Sequence, residues 1–284
     1  MSSRNPASKL SKAPTGIIGF DEITGGGLPR GRTTLLVGGP GSGKTIFALQ
    51  FLVHGARERK EPGIFVAFEE TSARIQANAK SFGWKLAQLP RRSLYFMDAQ
   101  PLPDLIQSGD FDLGGLLAAL EAKTREIGAR RIVLDALDIV LALLPDAAAR
   151  RREIYRLHDW LLARGLTGLI TLKSRGDDKS SISQKPFGFM QFMVDCAVIL
   201  NHSVAQGVSH RDLRVQKYRG SSFDENESPF LIGHRGLEVA VARTPGRVSA
   251  GTCFARHGRA RPPARLGGGR RRVSAQIAGQ AARG

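Results

Sequence analysis

Cysteine and long apolar runs are the features that this chain most lacks. Of its 284 residues only Cys196 and Cys253 are cysteines, and they lie far apart in regions of different composition. This argues against a disulfide framework and favours a reducing, cytoplasmic location. No run of 18 apolar residues occurs, so we expect no membrane-spanning helix. The N-terminal stretch MSSRNPASKLSKAP lacks the apolar segment of a signal peptide and predicts a short disordered lead over residues 1–14.

Acidic side chains are absent from residues 243–284, where ten arginines stand without a lysine. The formal charge of the whole chain is +17. The ten arginines of this segment contribute +10, which leaves +7 on residues 1–242. Its Arg, Gly, Ala and Pro residues cannot bury enough apolar surface to offset the entropy of ordering, so the segment predicts a basic disordered tail. A solvated tail without a selected role is favoured over an RNA-binding or polyanion-binding arm. A nucleic-acid-binding core is not favoured either, because the basicity belongs mostly to the tail.

Apolar runs typical of β-strands alternate with helical spacing along most of the remaining chain. Strands are predicted over 32–38, 63–70, 93–99, 130–140 (ending near Asp135) and 166–174, and helices over 43–59, 71–82, 112–128 and 147–165. This alternation predicts an α/β fold with a mostly parallel central sheet covered by helices on both faces. Residues 194–241 have β composition without an intervening helix, which predicts antiparallel hairpins added to that sheet.

The segment GGPGSGKT at residues 38–45 gathers glycines, one lysine and one threonine between a predicted strand and a predicted helix. It matches the phosphate-loop (Walker A) pattern G-x-x-x-x-G-K-[ST] in the context that this pattern requires, which a chance glycine-rich turn would not share. The glycines let backbone N–H groups turn toward an oxyanion, and the helix adds its positive end. Lys44 is predicted to reach the β- and γ-phosphates of ATP, and Thr45 to hold Mg²⁺.

Acidic residues end two of the predicted strands. Asp135 closes the apolar run of RIVLD, where it could hold the water shell of Mg²⁺; the alternative is an ordinary turn aspartate. Glu69 and Glu70 close FVAFEE at the carboxyl end of a strand, the edge at which open α/β sheets bind ligands. One of these two carboxylates is predicted to polarise the attacking water, and a solvated acidic turn is the alternative.

Several longer motifs occur in a fixed order: TGIIGFDEITGGGLPRGRTTLLVGGPGSGKT, FVAFEET, NAKSFGW, RIVLDAL and LRVQKYRGSSF. On these motifs the chain, up to about residue 241, resembles the KaiC family of RecA-like ATPases, and most closely the N-terminal ATPase domain of its circadian clock members. The resemblance implies a RecA-like P-loop NTPase fold over residues 15–242 and ATPase activity. It also implies a homo-oligomeric ring, typically a hexamer, with ATP between neighbouring subunits.

The same resemblance implies roles for individual residues. Phosphate-loop contacts are expected from Gly41, Ser42, Gly43, Lys44 and Thr45, paired catalytic glutamates at Glu69 and Glu70, and a position near the nucleotide at Ser81. The stretch Lys217, Tyr218 and Arg219 matches the hairpin that reaches the neighbouring subunit's ATP. On a strand, Lys217 and Arg219 point to one face, where they could stabilise developing phosphate charge in trans. Without the resemblance, an exposed solvated hairpin is an equal alternative.

Three departures from the family pattern stand out. Tyr218 replaces a leucine, and Phe223 replaces a histidine close to the nucleotide, which would alter contacts to the ribose. No second phosphate loop and no Ser-Thr autophosphorylation pair can be placed, so autokinase activity is not expected. The stretch RVSAGT at 247–252 is similar to the linker that opens a second domain, but the arginine-rich run follows it. We therefore expect residues 243–284 to be a frameshifted or truncated remnant.

The sequence favours an ATP-binding, slowly ATP-hydrolysing ring protein with a regulatory or signalling role. Its partners would be clock-like or sensory signalling proteins. Two alternatives remain open: a RecA/RadA-like DNA-binding ATPase, and a truncated clock kinase that lacks its autophosphorylation domain.

Overall fold

The computed structural model describes residues 10–90, 92–101, 113–174 and 188–241. The helices in these ranges are α1 (Phe20–Ile23), α2 (Lys44–Glu58), α3 (Ser72–Ala79), α4 (Gly114–Ile127), α5 (Asp138–Leu141), α6 (Ala147–Ala163) and α7 (Met190–Met193). Two 3₁₀ turns span Lys80–Phe82 and Leu86–Gln88. The strands are β1 (Lys12–Ala13), β2 (Leu28–Pro29), β3 (Thr33–Gly38), β4 (Gly63–Ala67), β5 (Leu94–Asp98), β6 (Arg131–Asp135), β7 (Thr167–Lys173), β8 (Cys196–Ala205), β9 (Val208–Tyr218), β10 (Ser228–Gly233) and β11 (Gly236–Val239).

Nine of the described strands form one sheet in the order β11-β10-β9-β8-β3-β7-β6-β4-β5. Neighbours from β8 to β5 pair in parallel, and β9, β10 and β11 pair antiparallel. This confirms the predicted mostly parallel sheet with antiparallel strands toward the C-terminus. One detail differs from the prediction, because β8 pairs in parallel with β3 before it turns back into β9. The connection from β7 to β8 is long enough for the crossover that parallel pairing requires.

The central strands are buried on both faces, which explains their near-continuous apolar sequences. Every residue of β3, β4 and β6 is buried. One core packs α2 against the sheet through residues such as Phe47 and Phe51, and the other packs α4 and α6 through Leu120 and Leu161. Within the described ranges, none of the helices combines the length and the apolar character that crossing a bilayer requires.

Two apolar runs extend beyond the strands that they contain. The run over 130–140 leaves the sheet after Asp135, as predicted, because Ala136 adopts a left-handed φ of 62° and its N–H is held by the Thr171 hydroxyl at 2.8 Å. The run predicted over 63–70 leaves the sheet after Ala67. There the Gln100 amide donates to the carbonyls of Ala67 (3.1 Å) and Glu70 (3.0 Å), which fixes the bend that carries Glu69 and Glu70.

Part of the predicted disordered lead forms a strand. Lys12 and Ala13 form β1 and pair antiparallel with β2. Ala13 is fully buried, and the Lys12 ammonium lies 4.8 Å from the centroid of the Tyr218 ring. These partners are distant in sequence, so the polar, proline-containing stretch did not reveal them. The rest of the predicted lead and the tail predicted over 243–284 lie outside the described residues.

Candidate nucleotide-binding site

The phosphate loop joins the carboxyl end of β3 to the N-terminus of α2. Gly43 is the N-cap of α2 with a φ of 94°, and Gly41 has a φ of 69°, so both adopt conformations that other residues rarely take. A Cβ atom on Gly38 would lie 2.4 Å from the Ser42 hydroxyl and 2.7 Å from the Leu200 carbonyl oxygen. The loop therefore closes around its own backbone at the start of a long helix, a geometry that favours anion binding.

Lys44 lies over this loop. Its ammonium donates to the carbonyl oxygens of Gly38 (2.8 Å) and Gly39 (2.9 Å). Burial lowers the pKa of Lys44, and the carboxylates of Asp135, Asp138 and Glu69 partly offset that shift. The acidic groups at this edge of the sheet are thus close enough to act on the Lys44 charge.

Asp135 lies next to the phosphate loop at the end of β6. One carboxylate oxygen accepts a hydrogen bond from the Thr45 hydroxyl at 3.0 Å, and the other accepts from the Thr171 hydroxyl at 2.6 Å. Burial raises the pKa of Asp135, while these two hydrogen bonds and Lys44 act in the opposite direction. A threonine hydroxyl and a carboxylate are oxygen donors of the kind that Mg²⁺ takes beside substrate phosphates, so this pair fits a magnesium ion.

Glu69 and Glu70 follow β4 but point to different partners. Glu69 forms an ion pair with the Lys173 ammonium at the end of β7. Glu70 pairs with Arg74 at 2.8 Å and accepts from the Asn78 amide at 3.2 Å, both on the adjacent helix α3. Lys173, the partner of Glu69, pairs in register with Gly38 at the start of the phosphate loop. Glu69 is therefore linked through Lys173 to the strand beside the phosphate loop, whereas Glu70 is held on α3.

Ser81 lies in the 3₁₀ turn after α3 and is exposed. Its hydroxyl donates to the Asn78 carbonyl at 2.9 Å. Because the Asn78 amide donates to Glu70, Ser81 belongs to the α3 side of the site.

Lys217 and Arg219 lie at the opposite edge of the sheet from the phosphate loop. Tyr218 pairs with Cys196 at the start of β8, whereas Gly38 pairs with Leu200 further along that strand. The Lys217 ammonium donates to the Gln191 carbonyl at 2.5 Å. The Arg219 guanidinium donates to the Phe192 carbonyl at 2.7 Å. Both cations thus contact α7 rather than the phosphate loop of their own chain.

Tyr218, between these two cations, points the other way. It is buried, and its hydroxyl donates to the Gly27 carbonyl at 2.9 Å. Burial raises the pKa of the phenol. The ring of Phe223 lies 6.2 Å away, centroid to centroid. The side chain of Tyr218 therefore packs in the core of its own chain.

Sequence reasoning missed two residues of the site, Thr171 and Lys173, which both lie on β7. Thr171 bonds both Asp135 and the backbone of Ala136, and Lys173 pairs with Glu69. The signal that could have found them is the pair of polar residues in LITLKS, at the carboxyl end of an otherwise apolar strand.

The family model and the relatives that match this chain point to one family. The family model "ATPase: KaiC" matches residues 13–243. Circadian clock protein KaiC2 of Synechocystis sp. is 40% identical over 241 residues, which cover 84% of this chain and 42% of that protein. Circadian clock oscillator protein KaiC of Parathermosynechococcus lividus is 39% identical over 232 residues, which cover 81% of this chain and 42% of that protein. The chain thus spans less than half the length of these curated relatives. With this match and the sheet described above, the chain belongs to the KaiC family of ATPases and has the RecA-like fold of its ATPase domain.

Proposed function

We propose that this chain binds ATP at its phosphate loop and hydrolyses it slowly, as part of a ring with nucleotide at the subunit interfaces. The observation that carries the proposal is the joint placement of Lys44 over the loop and of the Thr45 hydroxyl on Asp135 at 3.0 Å. Cation, hydroxyl and carboxylate are the groups that a triphosphate with magnesium requires, and they meet at one loop.

The roles follow from the contacts. Loop N–H groups and the Lys44 ammonium bind the phosphates, which replace the carbonyls of Gly38 and Gly39 as partners of the ammonium. Thr45 and Asp135 would hold Mg²⁺, which would supply charge neutralisation at the phosphates. Glu69 orients a water and accepts its proton as the water oxygen bonds to the γ-phosphorus. The bond from that phosphorus to the bridging oxygen breaks, and ADP and phosphate leave.

The proposed ring would use the opposite edge of the sheet. Lys217 and Arg219 cannot serve the phosphate loop of their own chain, since they lie at the amino ends of the parallel strands. A neighbouring subunit that presents its phosphate loop there would bring developing negative charge to both cations. A cyclic assembly in which each subunit completes the next site is a heterologous interface that closes on itself.

The proposed biological role is regulatory or signalling in the cytoplasm, with clock-like or sensory proteins as partners. Its basis is that the two relatives described above are circadian clock proteins. We also propose that residues 15–242 form the ATPase unit and that the basic segment 243–284 adds no nucleotide site. Turnover that rises steeply with added DNA at low salt would instead favour the RecA/RadA-like alternative.

Calorimetry with Mg·ATP and the Lys44→Ala variant tests the proposal. The parent chain should take up ATP, and Lys44→Ala should lose at least about 100-fold in affinity, because the ammonium that contacts the carbonyls of Gly38 and Gly39 is removed. Lys123→Ala is the matched control: Lys123 pairs with Glu126 on α4, and its removal should leave ATP affinity unchanged. A folded parent chain that takes up no ATP would contradict the proposal.

A further inference from the structure

Lys173 occupies a central position that neither motifs nor the proposed roles account for. It is the last residue of β7 and pairs in register with Gly38, the first glycine of the phosphate loop. Its own N–H donates to the Asp138 carboxylate at 3.2 Å, and the next N–H, of Ser174, donates to the Gly38 carbonyl at 2.9 Å. The backbone on which Lys173 stands is therefore tied to the loop that would hold the phosphates.

The Lys173 side chain forms an ion pair with Glu69, the candidate base of the proposed reaction. The two side chains are 39% and 51% exposed, and ion pairs at such exposure contribute little to folding stability. The main effect of this ion pair is therefore to fix the position of the Glu69 carboxylate and to offset its charge. Lys173 also lies near enough to Lys44 to act on its charge, as one of the smaller influences on the pKa of Lys44 after burial.

We propose that Lys173 is a positioning residue that holds one oxygen of the Glu69 carboxylate and turns the other toward the attacking water. This inference rests on the proposed function. A glutamate in a bend can adopt several rotamers, and a triphosphate beside it would repel its carboxylate. The Lys173 ammonium opposes both effects because it binds the carboxylate from a rigid strand. Glu70 has its own partners on α3, so the device acts on Glu69 alone.

The test compares Lys173→Gln with the conservative Lys173→Arg and with the control Lys123→Gln, which removes another exposed lysine–glutamate pair. Lys173→Gln should lower kcat roughly tenfold, since a misplaced base loses part of its contribution. The affinity for a fluorescent ATP analogue should stay within about threefold, because the phosphate loop is intact. Lys173→Arg should recover most of kcat, and Lys123→Gln should match the parent chain.

Double variants separate positioning from a direct role. In the Glu69→Gln background, Lys173→Gln should reduce kcat no further, because its target carboxylate is gone. An equal reduction in both backgrounds, a main effect on ATP affinity, or no effect on kcat would each overturn the proposal. If the parent chain binds ATP without hydrolysing it, the proposed function fails. Crystal structures of the parent and Lys173→Gln chains then test whether Lys173 positions Glu69. The positioning proposal requires a single Glu69 conformer in the parent structure and a displaced Glu69 carboxylate in the Lys173→Gln structure. An unchanged carboxylate in the variant overturns the proposal.

Discussion

The two edges of the same parallel strands are built differently. At the carboxyl edge, opposite charges lie close together within the chain. Lys173 pairs with Glu69, and Asp135 and Lys44 each shift the other's pKa. At the amino edge, Lys217 and Arg219 donate to main-chain carbonyls of α7. Within the part of the chain that the structure describes, neither forms an ion pair with a carboxylate. The carboxyl edge is thus electrostatically complete in one chain, whereas the amino edge has two cations available for negative charge from another molecule.

The largest expected effect comes from removing the candidate base at the carboxyl edge. Glu69→Gln should lower kcat by about 10²–10³ while leaving ATP affinity nearly unchanged, because the amide keeps the shape but cannot accept the proton. Glu70→Gln should lower kcat by less than about fivefold, since its carboxylate is directed to α3. Phosphate release by both variants and by the double variant measures this difference. Equal losses from the two single changes would contradict the placement of Glu69 as the base.

The amino edge is tested by mixing two inactive chains. Lys44→Ala removes the phosphate-loop half of a site, and Arg219→Ala removes the half that we assign to the neighbouring subunit. An equimolar mixed ring should recover about a quarter of the parent activity, because that fraction of its interfaces combines the two intact halves. Native mass spectrometry checks that mixed rings form. Mixed rings without recovered activity would show that the amino edge does not act in trans.

The smallest effect concerns the buried carboxylate of Asp135. Burial raises the pKa of Asp135 in the folded chain above the ordinary value of 3.8, so the ionised carboxylate is less stable in the folded chain than in the unfolded chain. The stability associated with its protonated form is complete below the unfolded pKa and is lost as pH rises through the raised folded pKa. At pH 7, Asp135→Asn should therefore stabilise the nucleotide-free chain by about 1 kcal/mol in urea unfolding. It should also abolish the Mg²⁺ dependence of ATP binding. A destabilised variant would mean that the hydrogen bonds to the carboxylate outweigh its burial.

The phosphate-loop motif could be predicted from the sequence because it depends only on residues that are adjacent along the chain. The glycines, lysine and threonine of the phosphate loop need only a strand before them and a helix after them, and both follow from apolar periodicity. The parallel sheet followed from the alternation of elements. What periodicity could not give is the end of the strand predicted over 63–70, since the bend after Ala67 depends on the Gln100 amide, 33 residues further along the chain.

The sequence by itself determined that the phosphate-loop motif opens the first long helix, that acidic residues lie at or just after the ends of two neighbouring strands and that two cations stand one residue apart near the end of a later strand. Only the tertiary structure decided that Glu69 pairs with Lys173 while Glu70 pairs with α3, and that Tyr218 turns into the core. The physical reason is that side-chain direction beyond a strand end is set by neighbours in the sheet. Those neighbours are brought together by pairing between segments that are distant along the chain.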